Sequence, residues 1–360
     1  GRRPRPAREG ESAPTCRVAQ VDLARCAGVS HLCVSGVVRG LDKVSEAGRE
    51  RILAAARELG YIDNGLATAL AGNRRRRLVG FLPQEISNAV FDDVYSGLKE
   101  VLEPEGYQFV IVEGSMDAVQ EDARLRELVA FAPDCLVVAG YAGSTDALTA
   151  AVHSIPIVSV TRRIEEEGVV SVYNDDHAGA AEATRYLIGL GHRRIAHLQL
   201  PPSIPYEDRA EGYLEAMRQA SLEPWLITPG SHGQDSAYDA VASLLRESQA
   251  AGDMLSAMPT AVLCGSDHMA LGALDALRDA GAVVPRDISV VGYDDQRAAR
   301  LVGLTTVDQA AEEQGRIAAR FVRSFLAVGD FETSRDAGGL EHRVLAPSLV
   351  VRETSGPPRD

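Results

Sequence analysis

The stretch Ala27-Gly28-Val29-Ser30-His31-Leu32-Cys33-Val34-Ser35-Gly36 concentrates the residue types that suit a helix lodged in the major groove of DNA. Such a helix needs small residues where it nears the backbone and polar or methyl-contacting side chains where it meets base edges. Ala27 and Gly28 permit a tight turn, Val29, Val34 and Val37 can pack inward, and His31, Leu32 and Ser35 lie near the exposed start of the second helix. The acids offer no comparable set for catalysis. Asp294 and Asp295 are neighbours at a strand end and Glu165 to Glu167 form a run, whereas paired acids for hydrolysis must face each other across a substrate. No G-x-S-x-G, H-E-x-x-H, P-loop or G-x-G-x-x-G context is present. His192 in GLGHRR, between a helix and a strand, is expected to pack or cap. No enzyme activity, cofactor or metal is expected.

A helical unit must present these side chains. The first helix is expected from about Val21 to Ala27, ending at Gly28; Ser30 caps a second, about His31 to Arg39, ending at Gly40. Ser45 caps a third, in which Ile52, Leu53, Ala56 and Leu59 recur at helical spacing before Gly60. Residues 19–63 therefore have the layout of a helix-turn-helix. Residues 1–18 are basic and Pro-rich with no apolar h-region, and read as a disordered tail, not a signal peptide. Residues 64–77, ending in Arg74 to Arg77, read as a linker. The charge divides sharply: residues 1–77 hold 15 Lys and Arg against 8 Asp and Glu, and the remainder holds 22 against 43. A basic head on an acidic body implies that only the head meets a polyanion.

From residue 78 onward short apolar runs alternate with amphipathic helices. LVGFL, FVIVE, CLVVAG, IPIVSV, RIAHLQL, AVLCGS and ISVVGYDD are strand candidates, and SLVVRE follows a loop at Ala337 to Arg343. This alternation implies parallel sheets covered on both faces. LVGFLPQ and RIAHLQL each read as a first strand, so two similar lobes are expected: 78–173 with 306–331, and 174–305 with 332–355. No apolar run approaches the roughly 18 residues of a membrane span. The five cysteines have no metal-like spacing and read as reduced thiols of a cytosolic protein.

Residues 20–72 resemble the DNA-binding head of the LacI-type bacterial transcription regulators. That family shows D-V-A-x-x-A-G-V-S-x-x-T-V-S-R-V-L-N, where this chain reads D-L-A-R-C-A-G-V-S-H-L-C-V-S-G-V-V-R, and the match continues through VSEAGRERILAAARELGY and NGLATALAG. The resemblance implies that His31 and Leu32 read bases and that Ser35 holds a phosphate. Cys33 stands where the family has Thr, and Gly36 where it has an Arg that contacts base or phosphate. Arg39 stands in place of Asn and can restore a phosphate contact. It also implies a hinge helix in which Leu70 wedges into the minor groove, with Asn64 and Ala67 near the contact.

The body, residues 78–355, resembles the family's effector domain, which has the two-lobed fold of periplasmic sugar-binding proteins. The markers are ISNAVF, GLGHRRIAHL, DRAEGYLEAM, SDHMALGALDALRDAG, VPRDISVVGYDD and LTTVDQ. NAVFDDVYSGLKEVLEPEGYQFVI is similar to the gluconate-repressor subgroup. By resemblance the effector residues are Asn88, Phe91, Arg209 and Asp294, together with Thr161, Arg162, Asp175 and Ser266 at positions where the pattern departs. Thr161 replaces an Asp, the Asp-Asn pair is reversed as Asn174-Asp175, Ser266 replaces an Asn, and Ala89 and Val90 follow Asn88. Arg162 or Arg163 near the crevice favours an acidic sugar. The resemblance implies a cytoplasmic, nucleoid-associated homodimer on a near-palindromic operator, with no membrane partner and an effector that is a sugar, sugar acid or nucleoside-like molecule. The alternatives are a solute-binding protein of the same body fold, or a regulator whose DNA reading is degenerate through Gly36.

Overall fold

The computed structural model describes residues 19–38, 44–59, 77–199, 206–231, 233–250, 258–327 and 342–359. The expected tail, Arg39, and the linker positions Asn64, Ala67 and Leu70 lie outside the described residues. The chain divides into two compact units, Gly1–Arg76 and Arg77–Asp360.

The first unit contains α1 (Gln20–Ala27), α2 (His31–Val38) and α3 (Glu46–Leu59). Gly28 ends α1 at φ +62° with its N–H on the Ala24 carbonyl, a left-handed cap that side chains rarely adopt. Ser30 Oγ accepts the Cys33 N–H at 3.3 Å and Ser45 Oγ accepts the Gly48 N–H at 3.3 Å, so both serines cap the helices that follow them. Leu23, Ala24, Ala27, Val34, Ile52 and Ala55 form the core, with Val29, Cys33, Val37, Val44 and Ala56 packed against it. Leu53, expected on the apolar face of α3, is 49 % exposed. Ile52 and Ala55 take that face, and Leu53, one residue past Ile52, turns about 100° away from it.

The second unit holds two parallel sheets. The first runs β2 (Gln108–Ile111), β1 (Leu78–Pro83), β3 (Cys135–Ala139), β4 (Ile157–Val160), β5 (Val169–Asn174) and β11 (Arg343–Leu345). Alternate strand residues face opposite layers. Val79, Phe81, Val137, Val160 and Val172 meet α4 (Ala89–Leu102) and α12 (Ala311–Ala327). Leu82, Leu136, Val138 and Ile157 meet α5 (Ala118–Ala130) and α6 (Thr145–Val152). Both faces are covered, so the strands are almost continuously apolar. α4 and α12 cross at Gly97 and Gly315, where an added Cβ would lie 2.0 Å from the Glu312 carbonyl oxygen and 2.1 Å from that of Val94.

The second sheet runs β7 (Trp225–Ile227), β6 (Ile195–Leu198), β8 (Ala261–Cys264) and β9 (Ser289–Val291). It lies between α7 (Asp176–Gly189) with α8 (Tyr206–Gln219) and α9 (Gln234–Ala250) with α10 (Asp267–Asp279). The short α11 (Arg297–Leu301) follows β9. β10 (Thr306–Asp308) pairs antiparallel with β12 (Ser348–Val350), and a parallel bridge joins Val291 to Thr305.

Two lobe assignments are corrected. Arg343–Leu345 pairs with Val172–Asn174 in the first sheet, not the second lobe. Thr306–Asp308 belongs to the second lobe, with Val307 in its core. Among the described residues the lobes are joined where β5 passes into α7, β10 into α12 and β11 into β12. Parallel strands open their carboxyl ends onto the crevice beside these crossovers.

Candidate functional site

In the head, α2 presents His31 and Leu32 outward, and Leu32 is 82 % exposed. Ser35 is half-buried. Cys33 is half-buried against the helical core and accepts the Ser30 hydroxyl proton at 3.2 Å. Gly36 is buried, and a Cβ there would lie 3.4 Å from Val44 Cγ2, an ordinary contact. The outward surface of α2 is thus His31 and Leu32, with Cys33 and Gly36 on the packed side.

In the body, Asp294 follows β9 with φ +118° and is buried. Its Oδ1 accepts Gln309 Nε2 at 2.8 Å and Arg209 Nη1 at 3.4 Å, and its Oδ2 accepts Gln296 Nε2 at 3.3 Å. Burial pushes its carboxyl up to about 7 despite the opposing pull of Arg209. Arg209, on α8, is also buried. It donates to Asp176 Oδ1 at 2.6 Å and the Gly265 carbonyl at 2.6 Å, and its guanidinium carbon lies 3.8 Å from the Tyr293 ring centroid. Asp267 is buried behind Asp294, accepting the Thr306 hydroxyl at 2.5 Å and the Gln296 N–H at 2.8 Å; burial and the Asp294 charge raise its carboxyl.

The other expected effector residues take different places. Asn88 caps α4, its Oδ1 accepting the Val90 N–H at 3.1 Å and Gln296 Nε2 at 3.4 Å from the second lobe. Phe91 is buried in the first lobe, its ring close against Gly140. Thr161 is buried at φ +64°, and its N–H is shared between the Val172 carbonyl at 2.9 Å and Gln314 Oε1 at 3.1 Å. Arg162 donates through Nη1 to the Tyr141 carbonyl. Arg163 is exposed and pairs with Glu165 at 2.6 Å. Asp175 caps α7 from an exposed position, accepting the Ala178 N–H at 2.8 Å. Ser266 caps α10, accepting the Met269 N–H at 3.2 Å.

The structure therefore joins Arg209 and Asp294, brings Asn88 to them through Gln296, and leaves Asp175 and Ser266 as helix caps. It adds Asp176, Tyr293, Gln296, Gln309 and Gln314. The Asp175-Asp176 pair carries the signal for the first of these, because a capping acid is solvated and its successor turns inward. His192 is buried, its Nδ1 2.9 Å from Thr260 Oγ1 and its Nε2 2.8 Å from the Gly356 carbonyl, which makes it a packing residue. Among the described residues no group of three or more His, Cys, Asp or Glu can hold a metal, and no helix is long and apolar enough to cross a membrane.

Residues 21–64 match the model of bacterial regulatory proteins of the lacI family, and residues 184–355 match a periplasmic binding protein-like domain. The HTH-type transcriptional repressor PurR of Pectobacterium carotovorum is 31 % identical over 347 residues, covering 92 % of this chain and 95 % of that protein. The chain belongs to the lacI family of bacterial regulatory proteins. Among solved structures, the lac repressor dimer bound to operator and the anti-inducer ONPF is 26 % identical with a TM-score of 0.73, covering 95 % of this chain and all of that one. The transcriptional regulator CelR in complex with cellobiose is 29 % identical with a TM-score of 0.64, covering 94 % of this chain and all of that one. These lacI-family relatives are transcriptional regulators, and the helical head and two-lobed body are the fold they share.

Proposed function

We propose that this protein represses transcription as a homodimer on a near-palindromic operator, and that a small sugar-like effector between the lobes sets its hold on DNA. The observation that carries this reading is the continuous hydrogen-bond path from Asp294 in the second lobe to Thr161 in the first, through Gln309 and Gln314. A ligand that engages Asp294 or Arg209 competes with partners that also tie the lobes together. Its binding then favours one lobe arrangement over another, which is the differential affinity that coupling requires.

DNA reading falls to His31 and Leu32 on α2, with Ser35 and Arg39 on phosphates. The hinge residues Asn64, Ala67 and Leu70 deliver the ligand signal, Leu70 entering the minor groove at the operator centre. The relatives' operator and cellobiose complexes support both halves of this reading. So does the charge division between a basic head and an acidic body. Such a protein works in the cytoplasm and, on its operator, at the nucleoid.

The test is a mobility shift of the full chain against genomic fragments in excess bulk DNA, with and without neutral sugars, sugar acids and nucleosides. Retention of a discrete set of fragments, altered by at least one ligand, is expected. Equal retention of every fragment under every ligand overturns the proposal.

A further inference from the structure

We propose that the foot of the first lobe holds a second small-molecule site, in which Arg320 and Arg323 of α12 grip the phosphate of a phosphorylated metabolite. This site is separate from the crevice, and its binding does not depend on the repressor reading.

A cavity of about 460 Å³ opens between the last two turns of α12 and the single helical turn Glu103–Glu105 that follows α4. Small-molecule sites occupy roughly 300–1,000 Å³, so the cavity has room for a sugar phosphate or a nucleotide. Leu78 and Gln108 pair at the amino ends of β1 and β2, and Arg77 and Tyr107 immediately precede them. Tyr107 lines the cavity, which therefore lies at the end of the sheet opposite to the carboxyl ends that open onto the crevice.

The charges here run against those of the body as a whole. Residues 78–360 carry 22 Lys and Arg against 43 Asp and Glu, yet this cavity is lined by two arginines and one carboxylate, Glu105. Arg77 adds a third guanidinium beside it, donating through Nη1 to the Glu105 carbonyl, with its guanidinium carbon 5.9 Å from the Tyr107 ring centroid. The lining arginines keep donors to spare. Arg320 Nη2 donates to Glu313 Oε1 at 2.9 Å, and Arg323 Nε lies 3.0 Å from Glu105 Oε1. Among the described residues, Arg320 Nε and Nη1 and both Nη groups of Arg323 have no protein partner.

Two exposed guanidinium groups with unused N–H donors suit a phosphate monoester, which brings a charge of roughly −1.5 to −2 and three acceptor oxygens. A single carboxylate brings less charge and fewer acceptors. The Tyr107 ring, Leu326 and Ala327 give the cavity an apolar wall, which favours an organic phosphate over the free inorganic ion. The helix that carries the two arginines also carries Gln314 nearer its start, so this site and the inter-lobe link share one rigid element.

The test is calorimetry on the full-length protein at constant ionic strength. Glucose 6-phosphate, fructose 1,6-bisphosphate and AMP are each titrated beside D-glucose, D-fructose and adenosine, and beside inorganic phosphate. At least one organic phosphate is expected to bind at least tenfold more tightly than its unphosphorylated parent and than inorganic phosphate. R320A/R323A is expected to weaken that ligand at least tenfold, and R320K/R323K, which keeps the charges but loses the planar forks, by less. E105Q leaves both arginines in place, removes the one lining carboxylate and is expected to tighten binding. No preference for any organic phosphate over its parent overturns the proposal, as does equal binding of inorganic phosphate, which marks an adventitious ion only. Unchanged affinity in a folded R320A/R323A places the phosphate in the crevice or on the head and overturns it too, and weaker binding by a folded E105Q contradicts the charge argument on which it stands.

Discussion

Gln309 Nε2 lies 2.8 Å from Asp294 Oδ1, and the Gln309 carbonyl accepts Gln314 Nε2 at the same 2.8 Å. Gln314 then accepts the Thr161 N–H, so two glutamines carry a polar contact of the second lobe into the first. Gln296 makes a second bridge, between Asp294 and Asn88. The aspartate expected to meet the effector is thus also where two inter-lobe links converge.

Gln314→Leu removes a fully buried side chain that makes one of these links. It leaves the Gln309 carbonyl without its donor, a loss of about 1–3 kcal/mol of stability. The larger consequence concerns coupling: the ratio of operator affinities with and without effector is expected to fall toward one. Urea unfolding and operator titration read the two effects separately.

Arg209→Ala leaves Asp176 and Asp294 buried without their guanidinium. Breaking a buried ion pair from one side costs about 3–5 kcal/mol. A lowered urea midpoint is expected, together with loss of effector binding. The head has its own core and is expected to keep its helical signal.

Glu121 gives the body a pH dependence. The residue is buried in the first lobe, with Oε2 accepting the Ser115 N–H at 2.5 Å and Oε1 unpartnered. Burial raises its carboxyl from 4.5 to about 7. The native state then holds a proton that the unfolded chain releases between these values, so stability contributed at low pH is lost as pH rises toward and through about 7. Glu121→Gln is expected to match the parent near pH 5 and to exceed it increasingly at pH 7 to 8, as measured by urea midpoints across that range.

The head offers a pair of opposed substitutions. Gly36→Ala places a methyl at ordinary distance from Val44 and is expected to stabilise α2 by up to about 1 kcal/mol. Leu32→Ala removes an exposed side chain, so the fold is expected to be unaffected while operator binding weakens about tenfold, near the cost of one mismatched base pair. Thermal melting and operator titration distinguish the two.

Local signals carried the head. Ser30, Ser45 and Gly28 act as caps because capping depends on neighbours within three residues. The apolar runs likewise marked most strands of both sheets. β5 carried no clear signal in the sequence, since Val169–Asn174 mixes Ser, Tyr and Asn into its run. β11 is a three-residue edge whose place in the first sheet comes only from pairing with β5. The crevice was half legible. Arg209 and Asp294 stand in recognisable stretches, but Gln314 meets Thr161 across 153 positions and Gln296 meets Asn88 across 208, and a glutamine has no local pattern announcing such a partner.

Coupling between effector and operator is tested most directly by reciprocity. The affinity of whichever sugar-like effector binds is measured by calorimetry on the free full-length protein and again with saturating operator duplex, and operator affinity is measured with and without that sugar. The expected result is that both pairs of constants change by the same factor, since coupling between two sites is mutual. Identical sugar affinity with and without operator contradicts it.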